Sequence, residues 1–132
     1  MVNDMVDSRL NKLANVIIPV DDQDRALEFY TETLGLEKRA DLPFGDGARW
    51  IEVAPPGADT PIAICPPGPG VTAGAKDTGI SLQSEDVDVT HAQLKERGVD
   101  VDAEVSRFGE IPPLFWFRDP EGNSLMVVQM AA

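Results

Sequence analysis

The segment that decides the fold is NVIIPVDDQDRALEFYTETLG, residues 15–35. Its first residues form an apolar, β-branched run with the length of a buried strand. Asp21 and Asp22 then supply carboxylates that accept the free amide hydrogens of a first helical turn. Apolar residues follow at helical spacing, and Gly35 is a typical helix end. The segment therefore predicts a strand followed directly by an amphipathic helix.

The same pattern returns about 64 positions later, in GISLQSEDVDVTHAQLKERGVDV, residues 79–101. Asp86 takes the place of Asp22, since 86 − 22 = 64, and Gly98 takes the place of Gly35 one residue early. Further strand signals complete each half as strand–helix–strand–strand–strand. A duplication of this kind predicts two copies of one supersecondary unit, each of which must cover its sheet with another layer.

The chain divides on this basis into four segments that form one domain. We predict a flexible N-terminal leader over 1–12, a first βαβββ module over 13–67, a Pro/Gly-rich linker over 68–78 and a second βαβββ module over 79–132. Within the second module, SRFGEIPP (106–113) is predicted to be a loop. The last two strands are predicted to form a hairpin around Pro120-Glu121-Gly122.

The charge balance excludes some partners. With 11 Lys and Arg against 23 Asp and Glu, the formal net charge is −12, which argues against nucleic acid and anionic membranes and weakly favours cationic ligands. No apolar run approaches the roughly 18 residues that span a bilayer, and the first residues contain no apolar signal core. The single cysteine, Cys65, excludes an intrachain disulfide. We expect a cytoplasmic protein.

Two motifs carry a family resemblance. The first is V-x-D-x-x-x-A-x-x-FY-x-x-x-LG, which runs from Val20 to Gly35, and the second is F-x-DP-x-GN, which runs from Phe117 to Asn123. Together with the duplication, they resemble the vicinal oxygen chelate superfamily, which includes glyoxalase I, extradiol dioxygenases, fosfomycin-modifying enzymes and bleomycin-binding resistance proteins. The resemblance implies an α+β fold with two βαβββ modules that form a U-shaped mixed sheet, with helices on its outer face and a site in its open cup.

The resemblance also implies four strand positions for metal ligands, two in each half. In this chain those positions hold Asn15, Ala63, Gly79 and Met126. Divalent catalytic metals prefer imidazole nitrogen or carboxylate oxygen, and the only histidine, His91, falls in the predicted second helix. We therefore predict no metal site and no cofactor.

Strand alternation predicts what lines the cup instead. Two indoles, a methionine and a few polar groups face it, as small-molecule pockets require. The predicted ligand-binding residues are Asn15, Trp50, Glu52, Cys65, Ser81, Gln83, Trp116 and Met126.

Several alternatives stay open. Trp50 and Trp116 line either a pocket or a dimer seam, Glu52 points either to the cup or to solvent, and Asn15 binds either a ligand or a neighbouring backbone group. Arg118 is expected to be anchored by Asp119 or by the turn.

The first functional hypothesis is a metal-independent homodimer, similar to the bleomycin-resistance branch, that binds a small aromatic or cationic molecule. The second is a metal-free enzyme with Glu52 as general acid or base. A metal-dependent glyoxalase- or dioxygenase-type enzyme is the least favoured. Sequence alone names neither the ligand nor the dimer geometry.

Overall fold

A computed structural model describes residues 6–74 and 77–130 of the chain. Parts of three predicted segments lie outside these residues: positions 1–5 of the leader, 75–76 of the linker and 131–132 of the second module. The division into leader, modules and linker stays a prediction.

The first module follows the predicted element order. Its elements are β1 (Val16–Pro19), α1 (Gln23–Glu28), a π-helical segment (Phe29–Thr33), β2 (Glu37–Pro43), β3 (Arg49–Ala54) and β4 (Ile62–Cys65). The sheet order is β1-β4-β3-β2, in which β1 runs parallel to β4 and the other neighbours are antiparallel.

The second module repeats this arrangement. Its elements are β5 (Ser81–Gln83), α2 (Val87–Glu96), β6 (Asp100–Val101), β7 (Ser106–Phe108), β8 (Ile111–Arg118) and β9 (Ser124–Val128). The sheet order is β5-β9-β8-β6, and β7 also pairs with β8. The predicted α+β fold is confirmed, and the second module has one strand, β7, more than the predicted βαβββ order.

The loop predicted over residues 106–113 is wrong. Residues on both sides of Gly109 and Glu110 pair as antiparallel strands, with Ser106 opposite Leu114 and Phe108 opposite Ile111. Gly109 has a φ of 49° and so allows the tight reversal between the two strands. The two prolines near the start of β8 obscured the pairing of β7 with β8 in the sequence.

Both predicted N-caps are present, but the first helix differs from the prediction. The side chain of Asp22 accepts a hydrogen bond from the amide of Arg25, and that of Asp86 accepts one from Val89. After Glu28 the first helix widens into the π-helical segment, where the amide of Leu34 donates to the carbonyl of Phe29.

The two modules share one hydrophobic core. The helix-side residues of the first sheet, such as Ile18 and Ile51, and those of the second, such as Phe115 and Phe117, belong to a single buried cluster. The ring of Phe29, beside α1, lies 6.3 Å from that of Phe117. The helix-covered faces of the sheets therefore pack toward each other. No helix among the described residues is long and apolar enough to cross a membrane. The cytoplasmic location stays a prediction.

The turn Asp119–Asn123, between β8 and β9, joins the second module to the first. The buried Asp119 accepts a 2.9 Å hydrogen bond from the hydroxyl of Tyr30, and the side-chain amide of Asn123 donates to the carbonyl of Pro19. Glu121 accepts hydrogen bonds from the amides of Asp21 and Asp22 at 2.6 and 2.8 Å. The F-x-DP-x-GN motif is thus an inter-module contact as well as a turn.

We predict that Asp119→Asn lowers the free energy of unfolding by about 2–4 kcal/mol, because a neutral amide loses charge-assisted bonds in a buried site. Urea denaturation measures this. The matched variant Asp59→Asn, at an exposed position, is expected to change the free energy by less than about 0.5 kcal/mol. Equal effects of the two variants would contradict the role given to the turn.

Alkaline pH is expected to destabilise the fold through Tyr30, the only tyrosine. Burial, followed by the neighbouring charge of Asp119, raises the pKa of this phenol above its ordinary 10.0. Its contribution to stability is therefore fully present below pH 10 and is lost as the pH rises beyond it. Denaturation at increasing pH should show this loss in the parent protein and a smaller loss in Tyr30→Phe.

Candidate functional site

The face of the first sheet that points away from the shared core, which we call the first open face, carries three of the predicted site residues. Trp50 and Glu52 lie on β3 and Cys65 lies at the end of β4. Glu52 is opposite Ala63 of β4 on one side and opposite Ala40 of β2 on the other. The two residues directly across from Glu52 are therefore small alanines, of which Ala63 is fully buried.

An aromatic pair borders this space. The indole Nε1–H of Trp50 donates a 2.9 Å hydrogen bond to Oε2 of Glu52. The ring of Phe44 meets the indole edge to face, with centroids 5.5 Å apart. Phe44 and Leu42 are each more than half exposed, at 53% and 58%. The hairpin of β2 and β3 thus presents an apolar surface beside a carboxylate.

The corresponding face of the second sheet, the second open face, carries Ser81, Gln83, Trp116 and Met126. In the strand register, Met126 of β9 lies between Ser81 of β5 and Trp116 of β8. Trp116 borders a cavity of about 310 Å³ that Asp77, Asp102, Arg118 and Ser124 also line. This face combines an indole and a thioether with hydroxyl and charged groups.

Arg118 is not anchored by Asp119 or by the turn, as was expected from the sequence. Its guanidinium donates to Asp100, on β6, at 2.9 Å and to Asp102, just after β6, at 3.0 Å. The bond from Arg118 holds the pKa of Asp100 below its usual range, and both aspartates raise the pKa of Arg118. Asp119 instead points into the inter-module contact with Tyr30. The pairing of β6 with β8 brings Asp100 opposite Arg118. Because the two residues are far apart in the sequence, this ion pair could not be predicted from it.

The structure groups the predicted site residues into two separate sets. Each open face lies on the opposite side of its sheet from the one shared core, so the set around Trp50 and the set around Trp116 point away from each other. A further cavity of about 260 Å³ lies between the modules, where Leu34, Leu82 and Leu94 are among its walls. Gln83, one of the predicted ligand-binding residues, also lines this cavity.

The remaining predicted residues occupy the margins of these faces. Asn15 directly precedes β1, is partly exposed, and forms no side-chain hydrogen bond within residues 6–74 and 77–130. Ser81 and Gln83 are exposed on the edge strand β5. Cys65 is 4% exposed. Its burial raises the pKa of the thiol, and the charge of Glu52 raises it further.

The four positions that would hold a metal in the superfamily do not fit one. Asn15 is the only one of the four with an oxygen-bearing side chain, because the others are Ala63, Gly79 and Met126. No group of three or more His, Cys, Asp or Glu side chains within the described parts of the chain is placed to hold a metal ion. These four positions therefore do not supply the donor set that a catalytic divalent metal requires.

Comparison with known proteins agrees with this architecture. The family profile described as "Glyoxalase/Bleomycin resistance protein/Dioxygenase superfamily" matches residues 10–127. The chain belongs to this superfamily.

Individual relatives are similar along nearly their whole length. The uncharacterized protein YetH of Bacillus subtilis (strain 168) is 31% identical over 118 residues, which cover 89% of this chain and 98% of YetH. TnmS3, an antibiotic binding protein from Streptomyces sp. CB03234, is 36% identical, with a TM-score of 0.83 and coverage of 92% and 98%. A superfamily member from Sphaerobacter thermophilus DSM 20745 is 35% identical, with a TM-score of 0.86 and coverage of 92% and 99%.

Three residues of the open faces were not predicted from the sequence. Leu42 lies on β2 and Phe44 directly follows it, and both extend the surface beside Trp50. A signal was present, since Phe44-Gly45-Asp46 recurs 64 positions later as Phe108-Gly109-Glu110. The third residue is Asp102, which binds the Trp116 amide and the Arg118 guanidinium. Nothing in the local sequence indicates that role.

The buried thiol leads to a direct test. We predict that native Cys65 reacts with a disulfide reagent at neutral pH at least about a hundredfold more slowly than in urea, because burial hinders access and disfavours the thiolate. The absorbance of the aromatic thiolate that the reagent releases measures the rate. Glutathione serves as the control for an accessible thiol. A native rate close to that of glutathione would contradict the buried position.

Proposed function

We propose that the protein is a metal-independent homodimer that binds a small aromatic or cationic molecule. The first open face of one subunit and the second open face of its partner form the two walls of the binding cup. The observation that carries this proposal is the shared core, because it turns the two open faces of one chain away from each other. A second subunit supplies the missing wall without disturbing that core.

The surface of each wall supports the proposal. Ile17, Leu42 and Phe44 on the first module are between 53% and 58% exposed, which is unusual for large apolar side chains grouped beside an indole. Apolar walls with a few polar anchors are typical of small-molecule sites. The similarity to TnmS3, whose name describes an antibiotic binding protein, favours a binding role of the same general kind.

Metal independence is proposed from the donor set, since Ala63, Gly79 and Met126 offer a hard divalent ion no suitable ligand. The enzyme hypothesis gains less support from the structure. Within the described residues, the only side-chain hydrogen bond of Glu52 comes from the indole of Trp50, and no histidine, lysine or hydroxyl group contacts it. General acid–base catalysis requires a partner positioned for proton transfer. Binding without catalysis is the better supported of the two functions.

Light scattering on a size-exclusion column tests the dimer, and a screen of planar aromatic compounds by Trp fluorescence and calorimetry tests binding. We expect a dimer, saturable binding by some of the compounds, and the same affinity after dialysis against a chelator. A strictly monomeric protein, or loss of binding after chelation that added metal restores, would contradict the proposal.

Substitution of either indole is expected to weaken binding. Trp50→Ala and Trp116→Ala should each reduce affinity about tenfold or more, because each removes the principal aromatic surface of one wall. Calorimetric titration with a compound from the screen measures this. Val89→Ala, which shortens a half-exposed side chain on α2, serves as the control and should leave affinity unchanged. Unchanged affinity in both Trp variants would show that the open faces do not form the site.

A further inference from the structure

The two open faces differ in how their charged groups are satisfied. At equivalent positions of the duplication, since 52 + 64 = 116, the first wall has Glu52 and the second has Trp116. The second wall has a positive group, Arg118, but Asp100 and Asp102 both bind its guanidinium. Asp77 adds another carboxylate to the same cavity. Among the described residues that line this cavity, no cation is therefore left unpaired for an anionic ligand.

Glu52 is in the opposite situation. It makes no ion pair with any residue in 6–74 or 77–130, and its Oε1 has no hydrogen-bond donor there. Arg39, the basic residue in the bulge of β2, is engaged by the carbonyls of Pro55 and Ala58 and by Glu37. Only the methyl groups of Ala40 and Ala63 stand directly across from Glu52 on the neighbouring strands. A partly buried carboxylate beside aromatic rings is thus left without a counter-charge.

We propose that the ligand is a planar aromatic cation, which lies against Trp50 and Phe44 and donates a hydrogen bond from its charged nitrogen to Glu52. This inference rests on the binding function proposed above and specifies its ligand class. The charge-assisted bond and the contact of a cation with aromatic faces act together at this place.

A metal ion is a poorer occupant of the same position. Divalent ions in proteins need several oxygen or nitrogen ligands, whereas the neighbours of Glu52 across the sheet are two alanines. Among the described residues named on the two walls, the four acidic groups Glu52, Asp77, Asp100 and Asp102 outnumber the one arginine, which disfavours an anion. The positive charge must therefore arrive as part of an organic molecule.

Three planar probes of similar size test the proposal in the intact protein: proflavine as the cation, phenazine as the neutral compound and anthracene carboxylate as the anion. Calorimetric titrations at neutral pH compare them. We expect the cation to bind at least about tenfold more tightly than the neutral probe, and the anion to bind most weakly.

Glu52→Gln should weaken binding of the cation about tenfold and that of the neutral probe less than about twofold. The glutamine carbonyl still accepts the Trp50 hydrogen bond, so the indole keeps its position. Glu28→Gln, at an exposed position on α1, makes the same change in net charge and should leave both affinities unchanged. Circular dichroism and the melting temperature confirm that each variant is folded.

The outcomes separate this inference from the binding function on which it rests. If the neutral probe binds as tightly as the cation and Glu52→Gln behaves like Glu28→Gln, the ligand class is wrong and the binding function stands. Tighter binding of the anion than of the cation also overturns the ligand class. If none of the three probes binds, the proposed cup itself is contradicted. Should Glu52→Gln fail to fold, Glu52→Asp provides the second variant. Its shorter carboxylate should weaken binding of the cation more than binding of the neutral probe.

Discussion

The hydrogen bonds between the Asp119–Asn123 turn and the first module are the constraint on which the rest of the structure depends. Through Tyr30, Pro19 and the amides of Asp21 and Asp22, they fix the helix-covered face of one sheet against that of the other. The bond between Tyr30 and Asp119 is buried, so breaking it leaves a polar atom without water or a partner. The orientation of the two modules is consequently as well defined as the core between them.

This orientation determines what the chain can do. A duplicated βαβββ scaffold has two open faces, and in this chain a common core separates them. In the proposed dimer, each face is therefore only one wall of a binding site. The first face combines aromatic groups with a carboxylate, whereas the second combines an indole with an arginine that its neighbours already neutralise. The positions that hold metal ligands elsewhere in the superfamily carry Asn15, Ala63, Gly79 and Met126 in this chain. The superfamily scaffold is retained, and in the proposed function it binds an organic molecule in place of a metal.

Much of this architecture is predictable from the sequence, because it arises from local patterns. Alternation in β3 predicts that Ile51 and Val53 are buried and that Trp50 and Glu52 face the other side, and the N-caps at Asp22 and Asp86 follow from helix-end chemistry. The failures involve contacts between distant residues. The anchor of Arg118 depends on the pairing of β6 with β8, and the strand Ser106–Phe108 depends on a turn that two nearby prolines obscure. The separation of the two open faces is likewise invisible in the sequence, since it follows from how the modules pack.

If each cup takes one wall from each of two subunits, a mixed dimer tests that arrangement most directly. In a heterodimer of a Trp50→Ala chain with a Trp116→Ala chain, one cup would carry both substitutions and the other would carry neither. Titration of a purified, differently tagged pair should then recover about half of the sites with the affinity of the parent protein. If instead every site in the heterodimer remains weakened, a cup built from the first open face of one subunit and the second open face of its partner is wrong.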